Sequence, residues 1–151
     1  RFEHGDADEQ ARVYKLYLEN LRFINNWDIV DISAPQVIGG HLNDNDRSPL
    51  YHWARSEVLW ERRIAIMSTL FFIRRSDFKD ALAISEILLR DPHDLIHKAV
   101  GWMLREIGNR DRNVEERFLQ PVYREMPRTM LRYAIEKFPE TRRQAWLRGK
   151  I

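Results

Sequence analysis

The chain has 151 residues, 44% hydrophobic and 32% charged, which suits one compact domain with a substantial core and excludes a disordered chain. Its 25 basic and 23 acidic residues are unevenly spread: residues 1–60 carry a net charge of −4 and residues 61–151 a net of +6. Zero cysteine excludes a disulfide framework, thiolate metal sites and a Cys nucleophile, and is in keeping with a reducing cytosol.

Six glycines and six prolines favour helices, and apolar residues recur at helical spacing almost throughout. A first helix is expected over about 8–25. An apolar stretch follows over 27–42, interrupted by Pro35 and closed by Gly39-Gly40. The polar loop 43–49 precedes a short helix at 51–54. Ser56 and Glu57 then look like the N-cap of a strongly apolar helix to about Arg74. Its ten-residue run Ile64–Ile73 is half the roughly 20 residues a membrane span requires. Ser76 or Asp77 is expected to cap a helix over 78–89. Asp91-Pro92 places a cap before proline at the first position of a helix to Gly108. Three more helices fit 113–125, 128–138 and 140–148, and no stretch reads as a strand.

Small residues recur inside these helices at Ala34, Ala65, Ala99 and Ala134, with steps of 31, 34 and 35. Such a period matches helical-hairpin repeats, in which a small residue lets stacked helix pairs approach closely. The expectation is an all-α fold: an α-solenoid, a right-handed stack of helix pairs whose second helices line a concave basic groove. Its core would include Leu59, Ile66, Leu70, Ile96, Val100, Leu104, Leu131 and Ile135. An irregular helical bundle is the alternative.

Three kinds of residue stand where packing would not put them. Asp31 has Trp27, Asp28, Ala34 and Pro35 as its helical neighbours and no base among them; Pro35 also withholds the amide that the Asp31 carbonyl would accept. Such a carboxylate needs a distant cation, a backbone donor or a ligand. Arg63 shares a stripe with Leu59, Ile66 and Leu70, which puts a guanidinium on an inward face, where arginines hold acids or phosphates. Trp102 lies between apolar Leu95 and Ala99 and basic Lys98 and Arg105, fit either for core packing or for stacking on a sugar, base or cation. The Arg-rich C-terminal part suits a polyanion or a set of solvated, ion-paired helix faces. No phosphate loop, HExxH or GxSxG occurs. His93 and His97 are four apart, but without a third ligand they read as surface histidines, and no metal is expected.

The strings Trp27-Asp28-Ile29-Val30-Asp31 with Ala34-Pro35 and Gly39, Trp60 to Ile66, Ile96 to Glu106 and Met126 to Glu136 resemble the bacterial DNA alkylation repair glycosylases with HEAT-like repeats, the AlkD family. The resemblance implies a single HEAT-like repeat domain over 1–151 lacking the N-terminal helices of the family. It implies a cytoplasmic, monomeric, monofunctional glycosylase that excises N3- or N7-alkylated purines from duplex DNA without metal or organic cofactor. The family's catalytic acid falls on Asp31, its substrate-binding residues on Trp27, Arg63 and Trp102, and a DNA-binding role is expected of Lys98, Arg105 and Arg132. A cationic alkylated purine leaves as a neutral base, so the carboxylate would stabilise the positive charge developing on the deoxyribose and orient the attacking water. The alternative is a non-catalytic scaffold of the same repeat class that binds nucleic acid or protein.

Overall fold

The computed structural model describes residues 7–23 and 26–151, the side chains of Arg22 and Trp27 excepted. Every regular element among them is helical. Helix α1, Ala7–Glu19, begins with Asp8 and Glu9 at its positive end and leads into a 3-10 turn at Leu21–Phe23. Helix α2, Trp27–Ala34, is capped by Asn26, whose side chain accepts from the Asp28 amide at 2.8 Å.

Two punctuation signals act differently from expectation. Pro35 does not interrupt the chain's helical course, and Gly39-Gly40 do not end it. The helix widens into a π-type segment, Pro35–Gly39, and continues as α3, Gly40–Leu42. Proline lacks the N–H that would close the preceding turn, and the Gly40 amide reaches back five residues to the Pro35 carbonyl. Both glycines are right-handed, at φ −59°. Gly39 serves a close approach: a Cβ there would meet the Ser68 carbonyl oxygen and lie 2.7 Å from the Phe71 Cβ.

After the polar turn come α4, Ser48–Ala54, and α5, Leu59–Ser68. The helix expected to run to Arg74 breaks at Thr69, whose hydroxyl donates to the Ile66 carbonyl at 2.6 Å, and resumes as α6, Leu70–Ile73. Ser76 takes φ 58°, and Phe78, not Ser76 or Asp77, occupies the cap of α7, Lys79–Ile87. Asp77 and Asp80 instead accept from Arg47 Nη1 at 2.8 and 2.6 Å, and Tyr51 donates to Asp80 at 2.6 Å. That network ties the 43–47 turn to α7. Helix α8, Asp94–Arg110, starts later than expected: His93 is its cap, Nδ1 accepting from the Leu95 amide, while Asp91 is engaged by Arg62 Nε at 2.6 Å. Helices α9, Arg112–Leu119, α10, Arg128–Ala134, and α11, Glu140–Leu147, complete the chain, the first two ending earlier than expected.

Helix α5 packs on α2, α8 on α5 and α10 on α8, while α4 and α7 lie against α5, and α7 and α9 against α8. The periodic alanines, Ala34, Ala65, Ala99 and Ala134, sit one on each of α2, α5, α8 and α10 and are no more than 1% exposed. Of the expected core, Ile66, Leu70, Ile96, Val100, Leu104, Leu131 and Ile135 are buried; Leu59 packs at its margin. Among the described residues no helix is long and apolar enough to cross a membrane.

Candidate functional site

The row α2–α5–α8–α10 brings the residues singled out in the sequence to one place. Asp31 from α2, Arg63 from α5, Leu95, Lys98, Trp102 and Arg105 from α8, and Tyr133 from α10 line a groove of about 520 Å³. Its most enclosed ion pair is Asp31–Arg63. Arg63 Nε donates to Asp31 Oδ1 at 3.0 Å and Nη2 to Oδ2 at 2.9 Å, the bidentate fork that a planar guanidinium makes with a carboxylate. The third donor, Nη1, bonds the Leu95 carbonyl. Both side chains are nearly enclosed, Arg63 at 6% and Asp31 at 13% exposure.

The partner that Asp31 lacks on its own helix is therefore 32 residues away, and the inward Arg63 is explained by the same contact. Neither group is saturated by it. A carboxylate offers about four lone-pair sites and a guanidinium five N–H donors. The pair uses two of the former, and the Asp31 and Leu95 contacts use three of the latter.

Trp102 is partly buried against the core, and its indole N–H donates to Glu106 Oε1 at 3.2 Å, so its ring is held at the groove wall. Its neighbour Gly101 permits this arrangement. A Cβ at Gly101 would lie 2.5 Å from the Tyr133 Cβ and 2.6 Å from the Met130 carbonyl, so α10 reaches the α8 backbone and Tyr133 enters the groove. The sequence signals Tyr133 at the groove only through its adjacency to the packed Ala134.

The expected cations are differently placed. Lys98 lies 3.2 Å from Asp94 one turn before it, and Arg105 pairs with Glu136. Arg132 is exposed, outside the groove lining, and without an ion pair among the described residues. The backbone of Trp27 opens α2, but its side chain lies outside the described residues. His93 and His97 are used locally, His97 Nε2 meeting the Asp91 carbonyl. Among the described residues no three His, Asp or Glu stand together as a metal set.

A second cavity, of about 290 Å³, shares Arg105 with the groove and is lined also by Gly108, Asn109, Arg112, Glu115, Ala134, Lys137 and Phe138. Glu115 is 1% exposed, and its Oε1 is buried with no hydrogen-bond partner. Burial first, and the charge of Glu116 second, push its carboxyl up to about 9 against the opposing pull of Arg105 and Arg112.

Residues 2–138 match the family described as DNA alkylation repair enzyme. A comparison with curated proteins finds no matching relative.

Proposed function

The chain belongs to the DNA alkylation repair enzyme family and so to the repair of alkylated DNA, and we propose that it acts there as a monofunctional glycosylase excising N3- or N7-alkylated purines from duplex DNA. The observation that carries the proposal is the convergence of Asp31, Arg63 and Trp102 from three helices on one groove. The alanine period on successive packed helices supports a HEAT-like α-solenoid, and the cations Lys98 and Arg105 beside the groove support a basic surface for duplex DNA. The protein would work as a cytoplasmic monomer.

In this mechanism the alkylated purine, already cationic, departs as a neutral base without needing a proton. The chain's task is electrostatic. Asp31, fixed in direction by Arg63, uses its remaining lone pairs to stabilise the cation growing on the deoxyribose and to orient a water toward the anomeric carbon. The two remaining donors of Arg63 suit a backbone phosphate near the lesion. Trp102 presents ring surface to the sugar, and Trp27 would share this role.

The test is release of methylated base from an alkylated duplex by the protein and by Asp31→Asn. The variant is expected to be slower by on the order of 10²–10³-fold, the cost of removing one preorganised electrostatic contact. Equal release would remove Asp31 from the mechanism. A second role is favoured by one observation: Arg63 occupies both Asp31 oxygens, as a purely architectural ion pair would. A DNA-binding scaffold follows if the wild-type protein binds duplex and releases no base.

A further inference from the structure

The second cavity contains an arrangement that the proposed excision does not use. Glu115 sits against α8 where Gly108 leaves room, since a Cβ at Gly108 would collide with Glu115 Oε2. Buried polar atoms without partners are rare in folded proteins and call for an explanation. Nearby bases do not supply the partner. Arg105 is taken by Glu136, and the Arg112 guanidinium lies 5.8 Å over the Phe138 ring. The cavity wall thus carries Arg105, Arg112 and Lys137 around a buried carboxyl whose Oε1 has no partner.

We propose that this cavity is a phosphate-binding subsite, with Arg105, Arg112 and Lys137 supplying charge, Asn109 at its wall, and the Glu115 carboxyl donating its hydrogen to a phosphate oxygen. A cation is disfavoured there, because among the described residues Arg112 and Lys137 remain unneutralised on the wall while Arg105 is paired with Glu136. A phosphate satisfies both anomalies at once: it neutralises the basic wall and accepts from the orphaned O–H, a charge-assisted hydrogen bond. Because Arg105 belongs to both cavities, a DNA strand seated in the groove reaches the subsite with its own backbone. A free phosphate presents the same chemistry. The DNA source rests on the function proposed above; the subsite itself does not.

The groups facing Glu115 also fix how the subsite responds to pH. Arg105 from α8, itself paired with Glu136, Arg112 and Glu116 from α9, and Lys137 after α10 surround it. Ionisation replaces the donor by a negative charge that competes with the phosphate for Arg112 and Lys137, and the phosphate is expelled.

The experiment has two arms and does not read base release. Inorganic phosphate is titrated into the protein while the amide resonances of Asn109, Glu115 and Lys137 are followed. Saturable shifts at these positions are expected, and their loss in Arg112→Ala/Lys137→Ala, whose two side chains are exposed and so replaceable without unfolding the chain. In the second arm the salt dependence of binding to unmodified duplex is compared for the two proteins. A log–log slope shallower by about 0.9 in the double variant identifies a DNA phosphate as the occupant. An unchanged slope with saturable phosphate shifts identifies a free phosphate. No localised shift together with an unchanged slope overturns the subsite. At pH 10 the wild type is expected to have released phosphate while Glu115→Gln, which keeps a donor, still binds; equal retention by both would remove Glu115 from the site. Absence of base release by a protein that passes these tests would refute the glycosylase proposal alone.

Discussion

Arg63 and Asp31 lie 32 residues apart in the chain and meet through two parallel hydrogen bonds of 3.0 and 2.9 Å in a largely enclosed setting. The pair joins α2 to α5, and the third Arg63 contact, to the Leu95 carbonyl, joins α5 to α8. Removing one member of such a pair leaves the other desolvated and unneutralised. Arg63→Ala is therefore expected to lower stability by about 3–5 kcal/mol, measured by denaturant unfolding. Single-turnover excision measured beside it divides the roles. A rate that falls in proportion to folded protein assigns Arg63 to architecture alone, and slow excision by the fraction that remains folded assigns it a contact with DNA.

Gly101 is the second point at which a small change moves the groove. Its missing side chain lets Tyr133 and the Met130 carbonyl approach α8. Gly101→Ala forces α10 outward, with an expected cost of about 1–3 kcal/mol from overpacking. Tyr133 fluorescence is masked by five tryptophans, so the displacement is better read from the side-chain resonances of Tyr133 and Trp102, which should shift together. Unchanged resonances and stability would show that α10 accommodates the methyl group without moving.

Glu115 makes stability depend on pH with a definite sign. Its folded-state carboxyl titrates at about 9 against an ordinary value of 4.5, so between these values the folded protein holds a proton that the unfolded chain has released. Its contribution to stability is intact below about pH 4.5, declines as pH rises, and is lost by about pH 9. Glu115→Gln does not titrate. The melting temperature of the wild type minus that of Glu115→Gln is expected to fall steadily from pH 5 to pH 9, and a flat difference would contradict a raised carboxyl.

The basic residues differ in how much positive charge they offer to DNA. Arg132 has no ion pair among the described residues, whereas Lys98 and Arg105 face Asp94 and Glu136. Arg132→Ala is expected to flatten the salt dependence of duplex binding by about 0.9 if its guanidinium reaches a phosphate. Glu136→Gln frees Arg105 and removes a negative charge, so duplex affinity should rise at low salt, with the difference shrinking as salt screens it. A weaker-binding Glu136→Gln would mean that Glu136 holds Arg105 in its productive direction.

Sequence periodicity made the helices and most of the buried face legible, because burial of Ile66, Ile96, Val100 and Leu131 follows directly from helical spacing. Asp31, Arg63 and Trp102 stood out for a related reason: each breaks the pattern its neighbours set. What spacing does not carry is the partner across the fold. Arg47 with Asp80, Arg62 with Asp91 and Asp31 with Arg63 are joined over 29–33 residues, whereas local spacing exposes only pairs one helical turn apart. A favoured cap residue does not serve as the cap where it is engaged elsewhere, as Asp77 is by Arg47 and Asp91 by Arg62. Glu115 was invisible in a charged segment, because its burial depends on the absence of a side chain at Gly108.

The widened turn at Pro35–Gly39 also acts on the phase of the helix. In a regular α-helix, advancing about 100° per residue, Asp31 and Gly39 would point about 80° apart. One extra residue absorbed in a π-type turn takes up about 100°, bringing the two to within about 20° of a common direction. That is why Asp31 meets Arg63 on α5 while Gly39 seats against Ser68 and Phe71 just beyond it. Chain length between these points is thus constrained in one direction. Deleting Val37 alone would remove the extra residue and leave an ordinary helix of the same phase, so the Asp31–Arg63 pair is expected to survive it, whereas inserting one residue there would swing the Asp31 carboxylate by about 100°, a quarter turn away from its arginine.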